Sequence, residues 1–89
     1  MARYSVFIKR SAAKEIEAID SKKNRQRVVR RILGLADDPR LPGARKLSAR
    51  EYYRIRQGEY RIVYSIDDDE AEVTVVKVGH RKDVYREIE

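Results

Sequence analysis

Tyr53-Arg54-Ile55-Arg56-Gln57-Gly58-Glu59-Tyr60-Arg61-Ile62-Val63-Tyr64 decides the fold of this 89-residue chain. Successive side chains of a strand point to opposite faces. A strand over 52–56 puts Tyr53 and Ile55 on one face and Tyr52, Arg54 and Arg56 on the other. Gln57-Gly58 supplies a tight turn. In a second strand over 60–66, Tyr60, Ile62, Tyr64 and Ile66 form the more apolar set, while Arg61 points oppositely with Glu59 and Val63. The run from Ala71 to Val78 follows an acidic turn, Asp67-Asp68-Asp69-Glu70, and reads as a third strand ended by Gly79. Short turns between successive strands predict an antiparallel meander.

Upstream of the meander the pattern changes period. Residues 3–9 are β-branched and aromatic, with apolar groups on both faces, and predict a central strand. Ser11 is a candidate cap for a helix with Ala12, Ile16 and Ile19 on one side. Asp20-Ser21 breaks that helix and caps the next, in which Val28, Ile32 and Leu35 form one apolar row and Val29, Leu33 and Ala36 the adjacent one. So short a turn predicts a helical hairpin. Asp37-Asp38-Pro39 closes it, and 38–46, with both prolines and Gly43, reads as loop. The expected order is β-α-α-β-β-β, an α+β arrangement with the hairpin on one face of a small, mostly antiparallel sheet. A short C-terminal segment follows, and the other sheet face stays partly open.

Composition narrows the function. The length predicts one domain, residues 1–89, with a thin core. No cysteine means no disulfide framework, thiol nucleophile or thiolate zinc site, and one histidine makes a histidine-built metal centre a poor fit. No apolar run reaches membrane-spanning length and no signal peptide precedes the first strand, so no membrane partner and a cytoplasmic location are expected. The net charge is +6, and it is segregated. Lys22, Lys23, Arg25, Arg27, Arg30 and Arg31 occur without an acid between them. Residues 40–61 carry Arg40, Arg45, Lys46, Arg50, Arg54, Arg56 and Arg61 against Glu51 and Glu59. The acids gather at 67–72. Such segregation suits a polyanion or an acidic protein, although a solvated charged face would carry the same residues.

Arg54, Arg56 and Arg61 should project together from the open sheet face, where guanidinium forks match phosphate oxygens. A cross-strand network with Glu51 and Glu59 is the structural alternative. Arg45, Lys46 and Lys82 join them as phosphate-binding candidates. Gly79-His80-Arg81-Lys82-Asp83-Val84-Tyr85 could return beside the basic face. His80 is either a proton-transfer group or a surface loop residue, and Tyr85 either a functional hydroxyl or a core anchor.

The run 53–64, followed by Val78-Gly79-His80-Arg81-Lys82-Asp83-Val84-Tyr85, with Leu47 ahead of it, resembles the RelE branch of the RelE/ParE toxins. The resemblance extends over nearly the whole chain, the helical hairpin included. It implies a RelE-like fold and a type II toxin–antitoxin role, with a cognate antitoxin as partner. RelE-type members cleave mRNA in the ribosomal 30S A site without a metal or small-molecule cofactor. ParE-type members share the fold and inhibit DNA gyrase, and a silent toxin would only bind its antitoxin. By resemblance, Arg54, Arg56, Arg61, Arg81 and Tyr85 fall on positions that carry RNA binding and cleavage. The sequence departs from the best-known pattern at Arg54 and Arg56, where that pattern has lysines. Arginine stays charged and cannot serve as a base. The catalytic candidates are therefore Arg61 and Arg81 for transition-state charge, and Tyr85, or more weakly His80, for proton transfer.

Overall fold

The computed structural model describes residues 3–47 and 51–80. The described elements run β1 (Ser5–Ile8), α1 (Arg10–Glu17), α2 (Lys22–Gly34), β2 (Arg45–Lys46), β3 (Tyr53–Gln57), β4 (Tyr60–Asp67) and β5 (Glu72–His80). The strands form one sheet in the order β1-β5-β4-β3-β2, antiparallel except for the parallel β1–β5 pair. The fold is α+β, with both helices on one sheet face.

The meander forms as its alternation predicts, but its first turn falls one residue later than the expected Gln57-Gly58, because Gln57 still pairs with Tyr60. Gly58 takes a φ of +60°, and Ala71 is the one non-glycine residue at positive φ among those described, so Gly58-Glu59 closes the β3–β4 hairpin as a type II′ turn. That hand of turn matches the twist of the paired strands. In the acidic turn the Glu70 amide donates to the Asp67 carboxylate at 3.0 Å.

Four other expectations change. The loop over 38–46 contains β2, because Arg45 and Lys46 find the open edge of β3. The last strand continues through Gly79 to His80, since β4 offers paired partners as far as Tyr60. The first strand is at an edge rather than central. The chain leaves it for the helices, re-enters the sheet at the far side, and returns strand by strand until β5 meets β1. Phe7 and Ile8 are accordingly exposed. Finally, α1 begins at Arg10 after Lys9, without a side-chain cap, so Ser11 lies inside the helix. Ser21 does cap α2, its hydroxyl accepting from the Asn24 amide at 3.2 Å.

The core is continuous from the hairpin to the sheet. Ala12, Ile16 and Ile19 meet Val28, Ile32 and Leu35, and both groups pack on Ile55, Ile62, Tyr64, Val73, Val75 and Val78. Between Val63 and Tyr64 the β4–β5 register skips Val76. Beside that irregularity, the Glu15 carboxylate accepts from the Val78 amide at 3.0 Å and pairs with Lys77, tying α1 to β5 beyond the end of β1. Among the described residues, no helix is long and apolar enough to cross a membrane.

Candidate nucleic-acid interface

The sheet face away from the helices gathers arginines by register alone. Arg45 lies opposite Arg54, and Arg56 opposite Arg61, with Arg54 and Arg56 one alternation apart on β3. Arg31 reaches the same place from α2. Together with Gly43 these five arginines line a concavity of about 500 Å³. Like charges placed directly across strands oppose sheet formation. A rule broken twice in adjacent pairs marks a surface selected for something other than stability.

Burial differs along this face. Arg56 is exposed, Arg54 and Arg31 half-buried, and Arg61 only 7 % exposed. Val63, on the same face as Arg61, is fully buried. The face expected to stand open is thus closed along β4, which is the middle strand of the sheet. A guanidinium held in so dry a setting acts on a nearby anion more strongly than one in water.

A loop anchored from the opposite side brings Gly43 and Arg45 to the concavity. The Tyr64 hydroxyl donates to the Pro39 carbonyl at 2.6 Å. Arg40 forks onto Asp68 at 3.0 and 3.2 Å and lies over the Tyr53 ring, which stacks on Tyr64. The Tyr4 hydroxyl donates to the same carboxylate at 2.7 Å. These donated hydrogen bonds hold the Asp68 carboxyl below the usual carboxylate range. Arg40 is therefore structural, although in sequence it belongs to the same basic run as the concavity's residues.

The other candidates separate. Lys46 lies opposite Tyr53, on the other sheet face from Arg45, with its Nζ 3.9 Å from Glu51. His80 lies opposite Tyr60, on the other side of the sheet from Arg61. Its ring meets Tyr60 edge-on, and Nε2 is 3.8 Å from Glu59. Arg81, Lys82 and Tyr85 lie outside the described residues. Arg31 is the member that reading the sequence missed as a site residue. The acid-free run 22–31 signalled charge, but only the seating of α2 on the sheet shows which of its arginines turns towards β3.

The arrangement can grip consecutive phosphates and stabilise charge developing on one of them. Among the described residues it contains no base: every polar side chain lining it is an arginine.

Comparison with known proteins agrees with this geometry. Residues 6–85 match the family model described as the ParE toxin of the type II toxin–antitoxin system parDE. A protein of Escherichia coli named as RelE-like toxin is 32% identical over 87 residues, covering 93% of this chain and 90% of its own. In the RelBE2 toxin–antitoxin complex of Mycobacterium tuberculosis, a chain with 28% identity superposes at a TM-score of 0.79, over 93% of this chain and 97% of that one. The isolated RelE toxin of Escherichia coli superposes at 0.74 with 27% identity, over 94% and 93% of the two chains. A hairpin on one face of a mixed sheet, arginines on the other, and relatives matched over nearly their full lengths place the chain in the RelE/ParE family of type II toxin–antitoxin toxins.

Proposed function

We propose that this toxin cleaves mRNA in the ribosomal A site. The observation that carries the reading is the arginine concavity on a rigid sheet face, which fits a ribose–phosphate chain and has no counterpart need in a purely structural module. In the reaction, the ribose 2′-oxygen attacks the adjacent phosphorus and the bond to the 5′-oxygen breaks. The 2′-hydroxyl proton leaves to a base, and the 5′-oxygen gains a proton. Arg61, the driest of the group, stabilises the negative charge that builds on the phosphoryl oxygens, with Arg81 as its partner. Arg45, Arg54 and Arg56 hold the flanking phosphates, with Lys82 in an outer role, while Lys46 faces the other way.

Proton transfer falls to Tyr85; His80, paired with Tyr60 on the sheet face away from Arg61, is not placed to take it. A Tyr85→Phe variant that leaves cleavage intact removes Tyr85 from proton transfer. The ribosome supplies much of the catalysis by holding mRNA in a reactive geometry. A cognate antitoxin neutralises the toxin in the cytoplasm. The RelBE2 toxin–antitoxin complex of Mycobacterium tuberculosis, in which a chain 28% identical to this one was solved, supports that partner.

Primer extension on an mRNA in a reconstituted translation system tests the reading. New 5′ ends within A-site codons, appearing only with ribosomes, are expected. Intact mRNA in the presence of folded toxin overturns it. The family model's ParE description favours one second reading, inhibition of DNA gyrase, for which loss of supercoiling activity is the readout.

A further inference from the structure

We propose that α2 carries a second phosphodiester-binding track, continuous with the sheet concavity through Arg31, along which the RNA strand continues as it leaves the sheet. The proposal rests on the RNA reading of the concavity above.

Three observations converge on it. The first is geometric. Arg31 lines two adjoining concavities: the sheet concavity, and one of about 390 Å³ bounded by Arg27, Arg30, Gly34, Leu41 and Gln57. Positions 27, 30, 31 and 34 stand at i, i+3, i+4 and i+7, so they form one stripe of the helix beside the buried row of Val28, Ile32 and Leu35. The stripe leads from the sheet edge at Gln57 along the outside of the helix.

The second is energetic. The first turn of α2 has no acid, and Lys22 and Lys23 sit at the end where the helix dipole favours negative charge. Lys23, Arg27 and Arg31 repeat at i, i+4 and i+8, a spacing at which like charges destabilise a helix. No carboxylate among the described residues comes within ion-pair range of Arg27, Arg30 or Arg31. The helix thus carries an unrelieved electrostatic cost on the face that borders the concavity.

The third is the state of Arg31 itself. Its Nε is buried and has no hydrogen-bond partner among the described residues, and the side chain stands where the two concavities meet. A bridging phosphate would give that donor an acceptor. Guanidiniums on a rigid helix stripe read a backbone and no bases, so the track adds affinity and register without sequence preference.

The test is equilibrium binding by fluorescence anisotropy of uncleavable 2′-O-methyl RNA to the intact toxin, over a salt series. Oligonucleotides of four and twelve residues are compared. The four-residue strand fills the sheet concavity alone, and the twelve-residue strand reaches α2. The double variant Arg27→Gln/Arg30→Gln should weaken binding of the longer strand about tenfold at low salt. It should lower the slope of log K against log salt by about 1.4, two single-strand phosphate contacts. Binding of the shorter strand should stay within about twofold. The variant should melt no lower than the parent, because it relieves like-charge repulsion.

No effect on the longer strand, or an equal effect on both, overturns the track. Weakened binding to 30S subunits with unchanged binding of the longer strand also overturns it and assigns these arginines to ribosomal RNA. Arg54→Gln/Arg56→Gln serves as the reference. If it weakens both strands while the α2 variant weakens neither, the track fails and the RNA reading of the sheet stands. If it weakens neither, the RNA reading itself fails.

Discussion

Replacing Tyr64 by phenylalanine should destabilise the toxin at neutral pH and protect it at alkaline pH. Tyr64 is fully buried, and its hydroxyl donates to the carbonyl of Pro39, which is itself buried. Phenylalanine keeps the ring and its stacking on Tyr53 but leaves that carbonyl without its donor. An acceptor buried and unsatisfied in this way costs about 1–3 kcal/mol. For a domain of this size that lowers the melting temperature by about 4–8 °C per kcal/mol. Burial also pushes the Tyr64 hydroxyl up from 10.0 to about 12, with Tyr53 reinforcing the shift. The folded state therefore holds this proton where the unfolded state has released it. The stabilisation is complete below pH 10 and falls as pH rises towards 12. The loss is about 1.4 kcal/mol by pH 11 and approaches about 3 kcal/mol once both states are ionised. The variant has no hydroxyl to titrate. Urea unfolding of both proteins from pH 7 to pH 11 should thus show the parent's advantage shrinking above pH 10. An advantage that stays constant across this range refutes the argument, because it would mean that Tyr64 titrates alike in both states.

Glu15→Ala should cost about 1–3 kcal/mol, since it leaves the buried Val78 amide without this acceptor and removes one partner of Lys77. Urea unfolding gives the magnitude, and amide exchange faster at Val78 than across β4 localises it. Acid should weaken the clasp between the 37–40 loop and the β4–β5 turn. The Asp68 carboxyl is held low by Arg40 and Tyr4, so its stabilisation is present above the unfolded value near pH 4 and disappears as pH falls through the lower folded value. Asp68→Asn should abolish that part of the acid transition in a pH titration followed by circular dichroism. Arg56→Glu places an acid directly opposite Arg61, so thermal stability should hold or rise by up to about 1 kcal/mol. Growth arrest by the induced toxin should nevertheless be lost, and a variant that melts higher yet still arrests growth would remove Arg56 from the site.

The elements whose own residues carry a period were legible in the sequence. The β3–β4 hairpin followed from strict alternation around Gln57-Gly58, and the register places Arg56 against Arg61 as that alternation requires. The row of Val28, Ile32 and Leu35 is the buried face of α2. Arg45 and Lys46 looked alike, as adjacent cations in a loop. Pairing with β3 separates them, because neighbours on a strand face opposite ways. His80 looked like a residue after the strand; inside β5 it sits across the sheet from Arg61.

By itself, the sequence determined the α+β class, the two-helix and meander halves, the helix-facing apolar sets and an arginine-rich opposite face. All of these depend on periods of 2 and 3.6 within single segments. Tertiary structure alone decided that β1 lies at the edge, that β4 is dry enough to bury Arg61, that Arg40 is tied to Asp68, and that Arg31 joins the sheet arginines. Each of these depends on which segments become neighbours, a matter of non-local pairing and packing that no local period encodes.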